Sequence, residues 1–194
     1  MAVSNPFAAR FLRPGVVPFL FPNGQSATAV VERLAACGWR GQIVGPHGSG
    51  KSTLLLAILP EIERSGRRPI LVTLHQGERK MPLLPDAALG TQTLLVVDGY
   101  EQLSWWSKWT LNRRCRRTGA GLMVTSHVDA GLPLVYETQP SLEILEHVAA
   151  RLLQDAPQGL SHDEVAAAYQ ASGGNLRESL FALYDVYQER QATP

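Results

Sequence analysis

The sequence predicts an α/β fold: a parallel sheet with helices on both faces, three layers in all, followed by a small all-helical lid at the C-terminus. Three observations predict it. Short apolar runs alternate with helical segments, the pattern of strands buried on both faces of a parallel sheet. One of those runs leads into Gly45-Pro46-His47-Gly48-Ser49-Gly50-Lys51-Ser52, a complete GxxxxGK(S/T) phosphate-binding loop, and an apolar helical stretch from Thr53 to Leu59 leaves it. After Pro140 the strands stop and only helical segments remain.

Each element has its own warrant. Residues 1–25 are rich in Pro and Phe and lack periodicity, as an extended arm packed on a domain surface would be. Ser26 to Ala36 suits a first helix that ends near Gly38. Gln42-Ile43-Val44 is the strand before the phosphate loop, and a helix runs from about Lys51 to Arg64. Pro69 to Leu74 reads as a second buried strand. The polar, Pro-containing connection from Gln76 to Thr93 is longer than α/β units usually use, which marks it as a functional candidate. Thr93 to Val97 is a third strand, Glu101 to Arg117 a helix, Gly121 to Thr125 a fourth strand and Leu134 to Glu137 a fifth. Helices follow at about 141–155, 161–171 and 175–190. Two of them open on capping-box pairs, Ser161 with Glu164 and Asn175 with Glu178. Leu176, Leu180, Leu183, Tyr184 and Tyr187 form one apolar stripe on the last. The expected organisation is an arm at 1–25, a nucleotide-binding core at 26–140 and a helical lid at 141–194.

Composition narrows the classes. A chain of 194 residues suffices for one domain with a small appendage. A formal net charge of +1 argues against a surface built wholly for nucleic acid, and leaves room for a local basic patch. Cys37 and Cys115 have no metal-ligand spacing and read as reduced structural thiols of a cytoplasmic protein. Pro14, Gly15 and Pro18 interrupt the apolar Phe7 to Phe21 region, so neither a targeting segment nor a membrane span is expected there.

The chemistry starts at the loop. Its glycines let successive N–H groups point inward and form an anion nest at a positive helix terminus. Gly45, Pro46, His47, Gly48, Ser49, Gly50, Lys51, Ser52 and Thr53 are therefore the candidate nucleotide-binding residues. Lys51 is expected on the β- and γ-phosphates, and the Ser52 hydroxyl on Mg²⁺. Leu94-Leu95-Val96-Val97-Asp98 is four apolar residues ending in an aspartate, which places a second Mg²⁺ carboxylate at a strand end. Hydrolysis also needs a group that orients or deprotonates water. Glu101 is the candidate; its other reading is an acidic residue that complements a helix dipole in the first turn.

These motifs, taken in order, resemble a family. The phosphate loop, the Asp98 strand and Val124-Thr125-Ser126-His127 at another strand end look like the additional-strand P-loop NTPases, AAA+ proteins among them. Asp98-Gly99-Tyr100-Glu101 is similar to the acidic motif of NACHT-type signal-transduction ATPases, in which a small residue follows the magnesium aspartate. Many related ATPases carry a glutamate where Gly99 stands. Val124 to His127 resembles the sensor-1 segment, which implies that His127 watches the γ-phosphate; a local turn role is equally open to it. Gly173-Gly174-Asn175-Leu176-Arg177 resembles the sensor-2 motif of AAA+ lids. That resemblance implies that Asn175 caps a helix and Arg177, in its first turn, reaches the phosphates; a surface role is the alternative. AAA+ rings also place an arginine shortly before the fifth strand, and His127 to Pro133 contains none.

One helix stands apart. Trp105, Trp106 and Trp109 share it with Lys108, Arg113, Arg114, Arg116 and Arg117. Aromatics interleaved with cations can stack bases and neutralise phosphates, which suits a nucleic acid. The same residues suit a protein partner. They also suit plain packing, with Trp105 and Trp109 on the sheet and the arginines favoured by the helix C-terminus. Arg79 and Lys80 are candidates to extend such a patch.

The reading that follows is an ATP-binding protein, a Mg²⁺-dependent ATPase that couples ATP binding and hydrolysis to lid movement or partner engagement. ATP over other nucleotides is implied by the resemblance alone. The alternative is a nucleotide-dependent switch or adaptor with little intrinsic hydrolysis, contacting a protein or nucleic acid. A small-molecule kinase would need an arginine-rich lid after the fourth strand, and that segment is poor in arginine.

Overall fold

The computed structural model describes residues 5–22, 24–154, 156 and 159–192. Five strands, β1 (Arg40–Val44), β2 (Arg68–Thr73), β3 (Thr93–Asp98), β4 (Gly121–Ser126) and β5 (Leu134–Glu137), form one parallel sheet. The lateral order is β2-β3-β4-β1-β5. Strand β4 lies between the strand that enters the phosphate loop and the strand that ends in Asp98, which is the additional-strand arrangement. Because all strands run the same way, Val44, Asp98 and Ser126 come to the same carboxyl edge.

Two compact units divide the chain. The first spans Phe21–Gly45 and Leu54–Thr138 and contains the sheet. Its central strands β3 and β4 are almost wholly buried, as their unbroken apolar runs require. Strand β2 departs from the expectation of a buried strand: as the sheet edge, it exposes Arg68, Leu71 and Thr73 and buries only Val72. A run of apolar residues cannot distinguish an edge from a centre, because the neighbour it lacks is remote in sequence. Helix α1 (Ala27–Ala36) starts at Ser26, whose hydroxyl accepts the Ala29 N–H. Helix α2 (Lys51–Arg64) buries Leu54, Leu55, Ile58 and Ile62, a stripe at helical spacing.

Helix α3 (Trp105–Thr118) begins later than the sequence suggests. Gly99 takes a left-handed conformation at φ 84°, a 3₁₀ turn follows over Tyr100–Gln102, and Ser104 is the true cap, accepting the Ser107 N–H. Glu101 therefore sits in the first turn of this 3₁₀ segment and not in that of α3. Toward the sheet α3 buries Leu111 and Cys115, four residues apart, in a cluster with Leu95, Val97, Leu122 and Val124. Each fully buried side chain of this size contributes about 1.5–3 kcal/mol.

The second unit takes in Met1–Leu20, Pro46–Thr53 and Gln139–Pro194. It holds α4 (Leu142–Leu152), α5 (His162–Ala171) and α6 (Leu176–Ala192). The α6 stripe packs as expected, with Leu183 and Tyr187 fully buried beside Leu145, Ala149, Val165 and Ala168. Phe7 joins this core from the N-terminal arm, edge-on to Tyr187 at 6.1 Å between centroids. Asn5 fastens it by donating to Tyr184 O at 2.9 Å. The reciprocal capping box of Ser161 and Glu164 is complete. That of Asn175 and Glu178 is not. Asn175 Oδ1 accepts the Arg177 and Glu178 N–H groups, while its own N–H goes to Ser172 O rather than to a Glu178 carboxylate. Among the described residues no helix is long and apolar enough to cross a membrane.

Candidate functional site

Chain order brings the phosphate loop off the carboxyl end of β1. Gly45 closes that strand, its N–H donating to Ser126 O at 3.2 Å. The next residues turn back on themselves around one carbonyl: Pro46 O accepts from Ser49 Oγ at 2.8 Å and from Lys51 Nζ at 2.7 Å. Gly48 and Gly50 hold φ of 71° and 90°, a region that side chains with a Cβ rarely enter. The loop then runs into α2, so the N–H groups of that helix's first turn lie at the loop, beside the Lys51 ammonium with its three donors. This donor set suits the oxygens of a polyphosphate.

Gly48 meets a second constraint from the same unit. A Cβ built there would lie 1.8 Å from Asn175 Oδ1. The oxygen that caps α6 is thus set against the phosphate loop. Arg177, two residues on, is exposed and receives its positioning through its own N–H to that oxygen at 3.1 Å.

The other candidates belong to the sheet unit. Asp98 ends β3 half-buried, and register places it beside Thr125 at the end of β4. The Thr125 hydroxyl donates to Asp98 Oδ1 at 2.5 Å and accepts the Gly99 N–H at 3.0 Å. One buried hydroxyl therefore fixes both the carboxylate and the turn that follows it. That turn admits only glycine: beyond its positive φ, a Cβ on residue 99 would approach Leu74 O to 2.8 Å. A glutamate directly after Asp98 is excluded on steric grounds.

The acidic side chain arrives two residues later. Glu101 Oε1 lies 3.3 Å from His127 Nδ1, and the Glu101 side chain is 14% exposed. Its Oε2 is buried and accepts no hydrogen bond from the described residues. Such an oxygen is costly to leave unsatisfied, by about 1–3 kcal/mol or more when charged, and has room in its chemistry for a water or a ligand donor. The structure thus joins Asp98, Thr125, Glu101 and His127 within one unit. Lys51, Ser52, Thr53, Asn175 and Arg177 fall together in the other.

The segment between His127 and Pro133 is pinned to β1. Gln42, a polar residue in a buried strand, donates to Asp129 Oδ1 and to Leu132 O, both at 2.6 Å, and accepts the Ala130 N–H at 2.7 Å. The Gln42 amide and the Gly131 N–H hold the Asp129 carboxyl below its ordinary range. Sequence reasoning passed over Gln42 and gave Thr125 no role of its own. The available signal was the same in both: a buried hydrogen-bonding side chain amid apolar neighbours needs a partner.

On α3 the packing alternative for the tryptophans is overturned. Trp105, Trp106 and Trp109 are 66%, 68% and 49% exposed. Arg114 and Arg117 both pair with Asp86, and Arg113 lies over the Trp109 ring at 5.7 Å. The two cysteines are free thiols. Among the described residues, no group of three His, Cys, Asp or Glu side chains stands ready to hold a metal ion by itself.

No family model matches this chain, and no curated protein matches it. Solved structures do. The Walker-type ATPase PABY2304 of Pyrococcus abyssi is similar with a TM-score of 0.55 and 14% identity, over 88% of this chain and 71% of that one. PCH-2 of C. elegans is similar at a TM-score of 0.41 and 12% identity, over 86% and 67% respectively. At such identities the likeness concerns the fold, and the first of the two carries it. The chain has the P-loop ATPase fold.

Proposed function

We propose that this chain, on its P-loop ATPase fold, binds ATP with Mg²⁺ and hydrolyses it, coupling nucleotide state to the helical lid or to a partner. The observation that carries the reading is the GxxxxGK(S/T) loop itself, with Gly48 and Gly50 both at positive φ and Lys51 at the first turn of α2. In this reading Lys51 binds the β- and γ-phosphates, and Ser52 with Asp98 holds Mg²⁺. The metal would neutralise charge on the β- and γ-phosphate oxygens. Thr125 orients Asp98. Glu101 orients the attacking water through Oε2, and His127 fixes Glu101 by its other oxygen. Asn175, which caps α6 and stands against Gly48, links the loop to α6, which supports 141–194 as the lid of a core at 26–140, with Arg177 proposed to reach the phosphates from the same turn. The motif Asp98-Gly99-Tyr100-Glu101 supports the NACHT-type likeness within the AAA+ class. The free thiols of Cys37 and Cys115 fit a cytoplasmic setting.

A second reading, a nucleotide switch with little hydrolysis of its own, is favoured by the His127–Pro133 segment, which offers no arginine to a neighbour's γ-phosphate. Without such a group turnover would be slower by about three to five orders of magnitude, unless a partner supplies it. Phosphate release from Mg·ATP separates the readings. An ATPase loses turnover in both Lys51→Ala and Glu101→Gln. Loss in Lys51→Ala alone would remove Glu101 from its role, and a wild-type chain that binds ATP without releasing phosphate would establish the switch.

A further inference from the structure

We propose that the exposed face of α3 is a binding site for single-stranded nucleic acid, which stacks its bases on Trp105, Trp106 and Trp109 and lays its phosphates along the arginines that follow. The site stands apart from the nucleotide reading and does not rest on it.

Charge is the first argument. The whole chain carries a net charge of +1, yet α3 holds Lys108, Arg113, Arg114, Arg116 and Arg117 and no acidic residue. Asp86 takes up Arg114 and Arg117 together. Arg113 and Arg116 are exposed, and no acid among the described residues lies within ion-pair distance of them. The loop before β3 extends the patch. Arg79 O accepts the Ser104 N–H at 3.1 Å and the Ser107 hydroxyl at 2.9 Å. The exposed Arg79 and Lys80 are thereby tied to the first turn of α3, where the tryptophans stand.

Ring geometry is the second. Trp105 and Trp106 meet edge-to-face, 4.6 Å apart at 74°, and Trp106 and Trp109 do so at 6.3 Å and 85°. Rings set at right angles make no flat apolar seat of the kind a protein core residue fills. In each pair the edge of one indole meets the face of the other, and Arg113 lies over Trp109, so the faces turned away from these contacts on the exposed rings are the ones on which a planar base can stack. Exposing three indoles to water is unfavourable without an occupant, and the helix already has its packing face at Leu111 and Cys115. Paired bases hide their faces, so a duplex gains only the phosphate contacts.

The test is fluorescence anisotropy of labelled oligo-dT and oligo-rU of about twenty nucleotides, titrated with the full chain in the absence of ATP. Binding should weaken as salt rises between about 50 and 200 mM, and a duplex of equal length should bind less tightly. The variant Trp105→Ala/Trp106→Ala/Trp109→Ala should lose at least about tenfold in affinity with the salt slope unchanged, while phenylalanine at the three positions restores most of it. Arg113→Gln should lower the salt slope by about 0.7. Lys51→Ala should bind the strand as the wild type does. Loss of binding in Lys51→Ala would assign the strand to the phosphate loop and overturn the proposal. So would absence of binding by the wild type, equal affinity for duplex, or unchanged affinity in the alanine variant. Sedimentation that shows self-association abolished by the alanine substitutions would give the face to a second copy of this chain instead.

Discussion

At the scale of single residues, the site depends on what the chain lacks as much as on what it carries. Position 99 has no side chain because Leu74 O and a positive φ leave no space for one, and the next acid along the chain is Glu101. Thr125 compensates by holding Asp98 and the Gly99 N–H together. If Asp98 holds Mg²⁺ as proposed, removing the hydroxyl that orients it costs about 10–100-fold in metal affinity or activity. Thr125→Val should therefore lower ATP turnover by about that factor and raise the Mg²⁺ concentration needed for half-maximal rate, measured by phosphate release across a Mg²⁺ titration. Unchanged Mg²⁺ dependence would separate Thr125, and with it Asp98, from the metal. None of the contacts that define this cluster was visible in sequence. Asp98 was legible from four apolar residues before it, whereas its partner lies on another strand, 27 positions away.

At the scale of elements, boundaries follow caps. Ser26, Ser141 and Ser161 each accept an N–H of the first turn, and the helices they open lie where the sequence suggests. Helix α3 is the exception, since the left-handed Gly99 delays the helix to Ser104. The α5 cap offers a pH test. Glu164 accepts the Ser161 N–H at 2.7 Å and pairs with Arg190. The Ser161 backbone, then its hydroxyl and Arg190, hold the Glu164 carboxyl below its ordinary value of 4.5. A depressed carboxylate stabilises the fold fully above the unfolded-state value and loses that contribution as pH falls through the lower folded-state value. Thermal melts should show Glu164→Gln less stable than wild type at neutral pH, with the gap closing below about pH 4. A gap independent of pH would mean that the charge contributes nothing. Ser161→Ala should cost about 1 kcal/mol.

At the scale of the whole molecule, ligand binding and stability are linked. If the phosphate loop binds Mg·ATP only when folded, nucleotide at about a hundred times its dissociation constant adds about 2.7 kcal/mol. The melting midpoint should then rise by several degrees in the wild type and stay in place in Lys51→Ala; a rise in both would locate binding elsewhere. Sequence alone determined the alternation of strands and helices, the phosphate loop, the Asp98 strand end, the helical C-terminal third and most caps. These are local quantities: a period, a run of apolar residues, a fixed spacing within one turn. Tertiary structure decided that β4 separates β1 from β3, that β2 is an edge, and that Gln42 clamps the segment after His127. It also decided that Phe7 joins the C-terminal core, that Asn175 stands against Gly48, and that three tryptophans face water. The physical reason is common to all of them: each depends on which chain-distant group occupies the other side of a contact, and neither hydrophobic pattern nor propensity carries that information.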